Sequence, residues 1–184
     1  MEDIVCRAMT VQDLNVHMMD EFDRHQEVTL VMRKNGRVKK LRRSKVEGWP
    51  AGTKESFVRN LFIHAVHLRQ YYHGQPLVFA AFRDGQVVAF ASRRLQNPEK
   101  PELSQLDNLF VSRGCRRMGL GRQLFRLCAE AAKAEGAQVM LVNTRPAFET
   151  QAFYRSLGCA PANKRLRGEA RGTPREDIVM AYTL

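Results

Sequence analysis

The sequence lacks the features that mark membrane-spanning, exported and low-complexity proteins. It has no run of about 18 apolar residues, so it predicts neither a transmembrane helix nor a membrane partner. Its first residues, MEDIVCRAMTVQDL, are acidic and contain no hydrophobic segment of the secretory type, which favours a cytoplasmic protein. No repeat and no Pro/Gly/Ser-rich linker divides the chain. These absences leave an ordinary globular protein.

Cysteine is scarce, and its spacing excludes the usual metal and disulfide patterns. The four cysteines, Cys6, Cys115, Cys128 and Cys159, form no CxxC pair, and no histidine follows at a zinc-ligand spacing. In a cytoplasmic protein we expect reduced thiols and no bound metal.

Acidic residues are also in short supply. The chain has 30 Lys and Arg against 19 Asp and Glu, a formal net charge of +11. Such a balance predicts attraction to an anionic partner. The candidates are a nucleic acid, a membrane surface and a phosphorylated ligand. With 184 residues, of which 44% are hydrophobic and 27% charged, we expect one folded domain spanning 1–184.

Hydrophobic periodicity and turn residues predict alternating strands and helices. Antiparallel hairpins come first, and a β–α–β–α–β order follows, which favours one α/β sheet with helices on both faces. Predicted strands cover residues 4–6, 27–32, 37–41, 77–82, 86–95, 103–111, 139–142 and 178–182. Predicted helices cover residues 11–25, 54–72 (capped by Thr53), 119–135 and 148–157.

One of these hairpins is strongly basic. Its turn, Asn35-Gly36, predicts a type I′ geometry, in which both central residues need a positive φ. Residues 33–45, RKNGRVKKLRRSK, hold eight basic residues and no acid. This hairpin (residues 27–45) is interpreted either as a patch for nucleic acid, the ribosome or an acidic acceptor, or as a solvated edge whose charges prevent aggregation.

The stretch LDNLFVSRGCRRMGLGRQLF, residues 106–125, predicts an anion site. A strand ends at Val111, a basic turn follows, and Gly119-Leu120-Gly121 opens a helix. Glycines allow backbone to approach a ligand, and the N-terminal N–H groups of a helix attract anions. Arg116, Arg117 and Arg122 surround the turn and suit a pyrophosphate. The stretch contains neither a Walker loop nor a dinucleotide fingerprint.

Here the sequence resembles the GNAT superfamily of N-acetyltransferases. Their signature, Arg/Gln-x-x-Gly-x-Gly/Ala between a strand and a helix, is matched by RRMGLG at 116–121. A second similarity is ETQAFYRSLGC, residues 149–159, in which Tyr154 takes the position of a tyrosine beside the coenzyme sulfur. The resemblance covers residues 77–160 well, is weak over 1–75, and implies a mixed, largely antiparallel sheet of about seven strands.

The resemblance also implies a donor, a reaction and a division of the domain. The donor is acetyl-CoA, and an acetyl group passes to an amine of a small molecule or protein. Residues 77–160 are then the coenzyme-binding core, 1–75 a variable acceptor-side part, and 161–184 an acceptor-side loop with the closing strand. The implied coenzyme-binding residues are Leu109, Phe110, Val111, Arg116, Arg117, Met118, Gly119, Leu120, Gly121, Arg122, Asn143 and Tyr154.

One position departs from the family pattern. Ala147 stands where family members often carry a coenzyme-contacting asparagine, and Asn143 is the neighbouring candidate for that contact.

The transfer requires an acid and a base. A phenol can protonate the leaving thiolate, which makes Tyr154 the candidate acid; the alternative is a tyrosine that only packs under its helix. An ammonium must lose its proton before it attacks, and the family places bases on the strand before Leu109. Period two puts Gln105, Asp107 and Leu109 on one face, and Asp107 is the better base because glutamine cannot accept the proton.

Several alternatives stay open. Asp107 can instead pair with a basic residue, and Glu149 is a weaker candidate for the base. Direct transfer in a ternary complex is favoured over an acyl-cysteine route through Cys115 or Cys128. A non-catalytic acyl-CoA-binding or nucleic-acid-associated regulatory protein is the alternative function. The acceptor, acyl-chain length and oligomeric state, including a homodimer, do not follow from the sequence.

Overall fold

The computed structural model describes residues 4–15, 17–47, 75–94, 97–174 and 177–184. The helix predicted over 54–72, with its Thr53 cap, lies outside the described residues. Residue 95, the last of the predicted strand 86–95, and residue 16, within the predicted helix 11–25, also lie outside the described residues.

A seven-stranded sheet forms the centre of the fold. The strands of the described chain are β1 (Val5–Ala8), β2 (Gln26–Met32), β3 (Val38–Glu47), β4 (Val78–Arg83), β5 (Gln86–Arg93), β6 (Leu103–Val111), β7 (Val139–Thr144), β8 (Ala160–Pro161) and β9 (Ile178–Thr183). The order in the sheet is β1-β4-β5-β6-β7-β9-β8, and β2 pairs with β3 in a separate two-stranded sheet. Among the neighbouring strands that the structure describes in this sheet, only β6 and β7 are parallel. The predicted α/β fold with a mixed, largely antiparallel sheet is confirmed.

Helices cover both faces of this sheet. They are α1 (Leu120–Ala134), α2 (Phe148–Ser156) and α3 (Lys164–Glu169). The apolar stripe of α1 packs on β4, β5 and β6, where Leu124 and Phe125 are at most 1% exposed. Full burial of one such side chain contributes about 1.5–3 kcal/mol. On the opposite face, Leu166 of α3 packs against Leu141 and Val179.

The two hairpin turns differ from each other. Asp84 (φ 48°) and Gly85 (φ 75°) both adopt positive φ between the paired residues Arg83 and Gln86, which is the type I′ geometry. The turn at Asn35-Gly36 is not type I′, because only Gly36 has a positive φ (80°). There Gly36 N–H bonds to Arg33 O (2.8 Å), as in a type I turn closed by a glycine bulge.

The helix predicted over residues 11–25 is wrong for the residues that the structure describes. A 3-10 helix at Val11–Asp13 and a series of turns occupy this segment. The side chains of Asp13 and Asn15 accept hydrogen bonds from the N–H groups of Thr10 and His17, and such local bonds compete with helix formation.

The apolar residues of this segment are buried although the segment is not a helix. Met18 and Phe22 are buried in a cluster with Phe90, on the face of the sheet opposite α1. Turns therefore place these side chains on the sheet as a helix would have done.

Candidate active site

The site begins where β6 and β7 diverge. The two strands pair only between residues 103–106 and 139–142. Beyond that point β7 continues to pair with β9, while β6 runs on beside β5 alone. Parallel strands that separate in this way leave a gap with an open strand edge on one side.

Leu109 and Val111 form the open edge of β6. Ser112 donates its N–H to Val88 O (2.8 Å), and an antiparallel ladder alternates, so Asn108 and Phe110 bond to β5. Leu109 and Val111 consequently direct their backbone polar groups away from β5 and into the gap.

The gap widens into a cleft of about 1140 Å³. All the residues proposed for catalysis or coenzyme binding line it except Met118, whose side chain is 54% exposed to solvent. The predicted residues on its wall are Asp107, Leu109, Phe110, Val111, Arg116, Arg117, Gly119, Leu120, Gly121, Arg122, Asn143 and Tyr154. Residues far apart in the chain are thus brought to one cavity.

The N-terminus of α1 presents free backbone donors to this cleft. Gly119 is the N-cap, with φ 83°, and the first helical bond joins Gln123 N–H to Gly119 O (3.1 Å). The N–H groups of Leu120, Gly121 and Arg122 therefore have no partner within the helix, and no side chain caps it. Backbone donors and the helix dipole together form an anion site.

The second glycine of the motif has a packing role that the sequence did not indicate. A Cβ on Gly121 would lie 3.2 Å from Cζ of Phe153 and 3.5 Å from Cδ2 of Leu109. Gly121 therefore lets α1 approach α2 and β6 closely. Gly119 is needed for a different reason, because its φ is positive and only glycine adopts such a conformation readily.

The arginines of the motif divide into supporting and exposed side chains. Arg116 donates from Nε to Val111 O and from Nη2 to Arg24 O, each at 3.2 Å, and burial lowers its pKa. Arg122 lies within 3.3 Å of Ser156 Oγ on α2. Arg117 is exposed and adopts a positive φ of 67°. Arg116 thus holds the turn in shape while Arg117 and Arg122 face solvent beside the helix terminus.

Tyr154 lies at the inner end of the cleft, on α2. It is 6% exposed, and its ring packs edge-on against Phe153 (5.1 Å between centroids). Burial, followed by the nearby Cys159 and Cys128, raises the pKa of the Tyr154 phenol above its ordinary value. The phenol therefore keeps its proton at neutral pH and is able to donate it.

Asp107 is the extra residue of a β-bulge. Ser92 pairs with Asn108 and Arg93 pairs with Leu106, so β6 has one more residue than β5 at this point. The bulge breaks the alternation, and the prediction that Gln105 and Leu109 share a face is wrong. Leu109 instead packs against the same core cluster as Leu106.

The carboxylate of Asp107 is held by two side chains. Arg94 Nε lies 3.0 Å from both Oδ atoms, and Gln105 Nε2 donates to Oδ1 (3.1 Å). The pairing with a basic residue that the sequence left open is therefore present. The carboxylate also lines the cleft, so its orientation there is fixed by these bonds.

Two amide side chains fasten the loop before β9 to the sheet. Gln105 and Asn143 both donate to Arg171 O, at 2.8 and 3.1 Å, and Arg171 N–H donates to Gln105 Oε1 (2.9 Å). Asn143 thus bonds to a loop carbonyl, while its buried Oδ1 has no partner in the described part of the chain. The side of the cleft carrying Arg171 is fixed by these bonds.

The thiols near the site are poorly suited to nucleophilic attack. Burial raises the pKa of Cys128 and of Cys159 to about 12. Cys115 lines the cleft but is 4% exposed, and Arg83 donates to its Sγ (2.9 Å). The described residues contain no group of three or more His, Cys, Asp and Glu arranged to hold a metal ion.

Sequence reasoning missed several residues of the cleft. Arg24 places its guanidinium 4.3 Å above the Phe110 ring, and Arg145 lies at the same wall. Phe153 and Arg94 also line the cavity, and so does Arg171, which lies in the segment 161–184 that was expected on the acceptor side. In the sequence, the excess of arginine was the one signal that pointed to the basic residues among them. The positions of these residues in the cleft depend on contacts between distant segments.

Comparison with known proteins gives one family and a set of similar folds. The acetyltransferase (GNAT) family profile matches residues 38–159. Among curated proteins no significant sequence match is found. No helix among the described residues has the length and apolar character needed to span a bilayer.

Three solved structures illustrate the similarity of fold. Nourseothricin acetyltransferase has a TM-score of 0.66 and 16% identity, with 98% of each chain covered. The PaiA N-acetyltransferase from Thermoplasma acidophilum, in complex with coenzyme A, has a TM-score of 0.62 and 15% identity, with 99% of each chain covered. A streptothricin acetyltransferase of Bacillus anthracis in complex with acetyl coenzyme A has a TM-score of 0.55 and 16% identity, with 100% of this chain and 97% of that one covered.

Proposed function

The chain belongs to the acetyltransferase (GNAT) family, and from that membership we propose that it is an N-acetyltransferase. It moves an acetyl group from acetyl-CoA directly to an amine of a small molecule or a protein. The observation that carries the proposal is a single cleft that joins the α1 N-terminus, the open edge of β6 and Tyr154.

The residues present fit the coenzyme. The pyrophosphate suits the N–H groups of Leu120, Gly121 and Arg122, since a helix N-terminus without a side-chain cap is a ready anion site. Arg117 and Arg122 add positive charge there, while Arg116 supports the turn. When bound, the coenzyme supplies the activated thioester.

The open edge of β6 suits the pantetheine arm. Its amides match the outward backbone groups of Leu109 and the N–H of Val111, whose carbonyl already accepts from Arg116, as an added strand would. A backbone N–H at this edge can also polarise the thioester carbonyl; in other enzymes the loss of one such donor costs about 2.7–4 kcal/mol of transition-state stabilisation.

The acetyl transfer uses one acid and one base. The amine nitrogen forms a bond to the carbonyl carbon, the carbon–sulfur bond breaks, and Tyr154 donates its proton to the departing thiolate; the second proton of the attacking nitrogen then returns to the phenolate. The phenol of Tyr154 is protonated at neutral pH and so carries a proton to donate, although burial makes it a weaker acid than a free tyrosine. The amine must first lose its own proton, and Asp107, held in the cleft by Arg94 and Gln105, is the proposed base.

Substitution of Tyr154 tests the proposal. Tyr154→Phe should lower kcat by about 100-fold or more, because a general acid contributes a factor of that order. The coenzyme Kd from calorimetry should stay within about twofold of the wild-type value. Tyr182→Phe is the matched control, because Tyr182 packs on Phe125 (5.1 Å) and does not line the cleft.

The reaction is followed as free thiol released from acetyl-CoA with a panel of amines, amino acids, polyamines and peptide N-termini. Full turnover by Tyr154→Phe would remove the acid role. Tight coenzyme binding without turnover on any acceptor would instead favour a non-catalytic acyl-CoA-binding protein.

A further inference from the structure

The basic hairpin formed by β2 and β3 is a separate sheet from the central one, and only its base, at Gln26, Glu27 and Glu47, lines the cleft. Its inner strand is anchored at the start of α2, where Met32 N–H donates to Pro146 O (2.8 Å) and Gln151 Nε2 donates to Met32 O (3.2 Å). An isolated bridge also joins Val31 to Ala147. Since β2 lies against the protein, β3 is the outer strand of the hairpin.

The charges of this hairpin are exposed to solvent. All eight basic residues between positions 33 and 45 are exposed, and no acidic residue lies among them. Lys34 has further interactions, but among the described residues no ion pair joins the other seven to an acid. Like charges held this close repel each other, so a bound polyanion would stabilise the hairpin.

A large bulge on β3 presents two arginines. Val28 pairs with Lys45 and Leu30 pairs with Lys40, so the four residues from 41 to 44 lie opposite Thr29 alone. Bulges redirect side chains away from the ladder. The bulge contains Arg42 and Arg43, both of them exposed.

We propose that the outer face of this hairpin binds the phosphate backbone of a nucleic-acid duplex. Val38 to Lys45 lies alongside Val28 to Met32, a length of about 13 Å at roughly 3.3 Å per residue, because the bulge takes four residues out of the ladder. At about 3.4 Å of duplex axis per phosphate on each strand, this length matches about four phosphates of one strand. Arg42, Arg43 and the lysines of β3 then contact phosphates.

The composition of the hairpin argues against an apolar protein partner, single-stranded nucleic acid and a second copy of the hairpin. Protein interfaces rely on aromatic and apolar anchors, and the exposed valines of β3, Val38 and Val46, lie near its two ends. No aromatic residue occurs between positions 33 and 45, so single-stranded bases have nothing on which to stack. A second copy of the hairpin would be repelled by its own charge. The inference does not depend on acetyl transfer.

The test is fluorescence anisotropy with labelled RNA and DNA duplexes at several salt concentrations. Between about 50 and 200 mM NaCl, a site with about six phosphate contacts loses roughly 1,000-fold in affinity. Arg42→Gln/Arg43→Gln should weaken binding at least about tenfold at low salt and reduce the slope of log K against log salt by about two.

The matched control changes the same charge elsewhere. Arg165→Gln/Arg167→Gln alters two exposed arginines of α3, which lies away from the hairpin, and should change the affinity by less than about threefold. Circular dichroism and coenzyme binding confirm that each variant is folded.

Binding of wild type to either duplex, with selective loss in the hairpin variant, supports the proposal. Equal loss in both variants would show attraction by net charge alone and would overturn it. Absence of binding to both duplexes, or equally tight binding of a polyglutamate peptide, would overturn it too.

Discussion

The side-chain amide of Gln105 is bonded twice to the backbone of Arg171. Its Nε2 donates to Arg171 O (2.8 Å), and its Oε1 accepts from Arg171 N (2.9 Å). Gln105 lies on β6 and is 8% exposed, so a rigid strand fixes a loop that lines the cleft. The same Nε2 also reaches Asp107 Oδ1 (3.1 Å), which couples the position of the loop to that of the proposed base.

Loss of this amide should weaken acceptor binding selectively. Gln105→Ala removes both bonds to Arg171, each worth about 0.5–1.5 kcal/mol, and we expect the KM for the acceptor to rise about tenfold. The coenzyme Kd should change little, because the N-terminus of α1 is untouched. Steady-state kinetics and calorimetry separate the two effects. Gln123→Ala, at an exposed position of α1, is the control. If Gln105→Ala changes the acceptor KM and the coenzyme Kd equally, the proposed role of Gln105 in acceptor binding is contradicted.

The three glycines near the anion site should respond differently to alanine. Gly119→Ala forces a left-handed conformation at φ 83° and should cost about 1–2 kcal/mol of unfolding free energy. Gly121→Ala places a Cβ 3.2 Å from Phe153, and overpacking of this kind costs about 1–3 kcal/mol. Gly114→Ala meets no atom within 4 Å and should be neutral or stabilising by up to about 1 kcal/mol.

Urea denaturation measures the three glycine variants. Equal unfolding free energies for Gly114→Ala and Gly121→Ala would contradict the packing role of Gly121. Calorimetry with coenzyme A should also show weaker binding for Gly121→Ala, because displacement of Phe153 shifts a wall of the cleft.

Elements with a local cause were predictable from the sequence. Asp84-Gly85 produced the type I′ turn because both residues tolerate a positive φ. The stripe of α1 that includes Leu124 and Phe125 is buried as its spacing indicates. The basic turn at Arg116 was placed correctly at a helix N-terminus, since its glycines and the helix are neighbours in sequence.

Features that depend on distant segments were not predictable. The bulge at Asp107 is defined by the register of β6 against β5, which the sequence of one strand does not contain. The 3-10 helix at 11–13 has a local cause instead, which the apolar spacing of the segment did not reveal: Asp13 accepts from Thr10 and is paired with Arg7 (2.6 Å). For Gly121, the need for a small residue comes from Phe153 on another helix.

Alkaline pH should destabilise the fold through its buried thiols. Burial raises the pKa of Cys128 and Cys159 from 9.0 to about 12, so the folded state holds these protons more tightly than the unfolded state. The stabilisation is complete below pH 9 and is lost as the pH rises towards 12. The free energy of unfolding should therefore fall by about 1.4 kcal/mol per pH unit for each thiol in that range.

Substitution of one cysteine isolates its contribution to the pH dependence of stability. Cys128→Ala lowers stability at neutral pH but removes one titrating group, so the slope between about pH 9 and 10.5 should become shallower by about 1.4 kcal/mol per unit. Urea denaturation at a series of pH values gives the slope. An unchanged slope would mean that Cys128 titrates equally in both states.

The role of Asp107 can be read from the pH dependence of the reaction. A primary ammonium has a pKa of about 10, so at neutral pH the enzyme must remove its proton, whereas near pH 10 much of the amine is already neutral. Asp107→Asn should therefore reduce kcat/KM about 100-fold at neutral pH and progressively less as the pH rises. Asp84→Asn, in the exposed β4–β5 turn, should leave the profile unchanged. If Asp107 serves only to pair with Arg94, 3.0 Å away, the loss will be the same at every pH, because an ion pair with a permanently charged guanidinium supplies no proton acceptor.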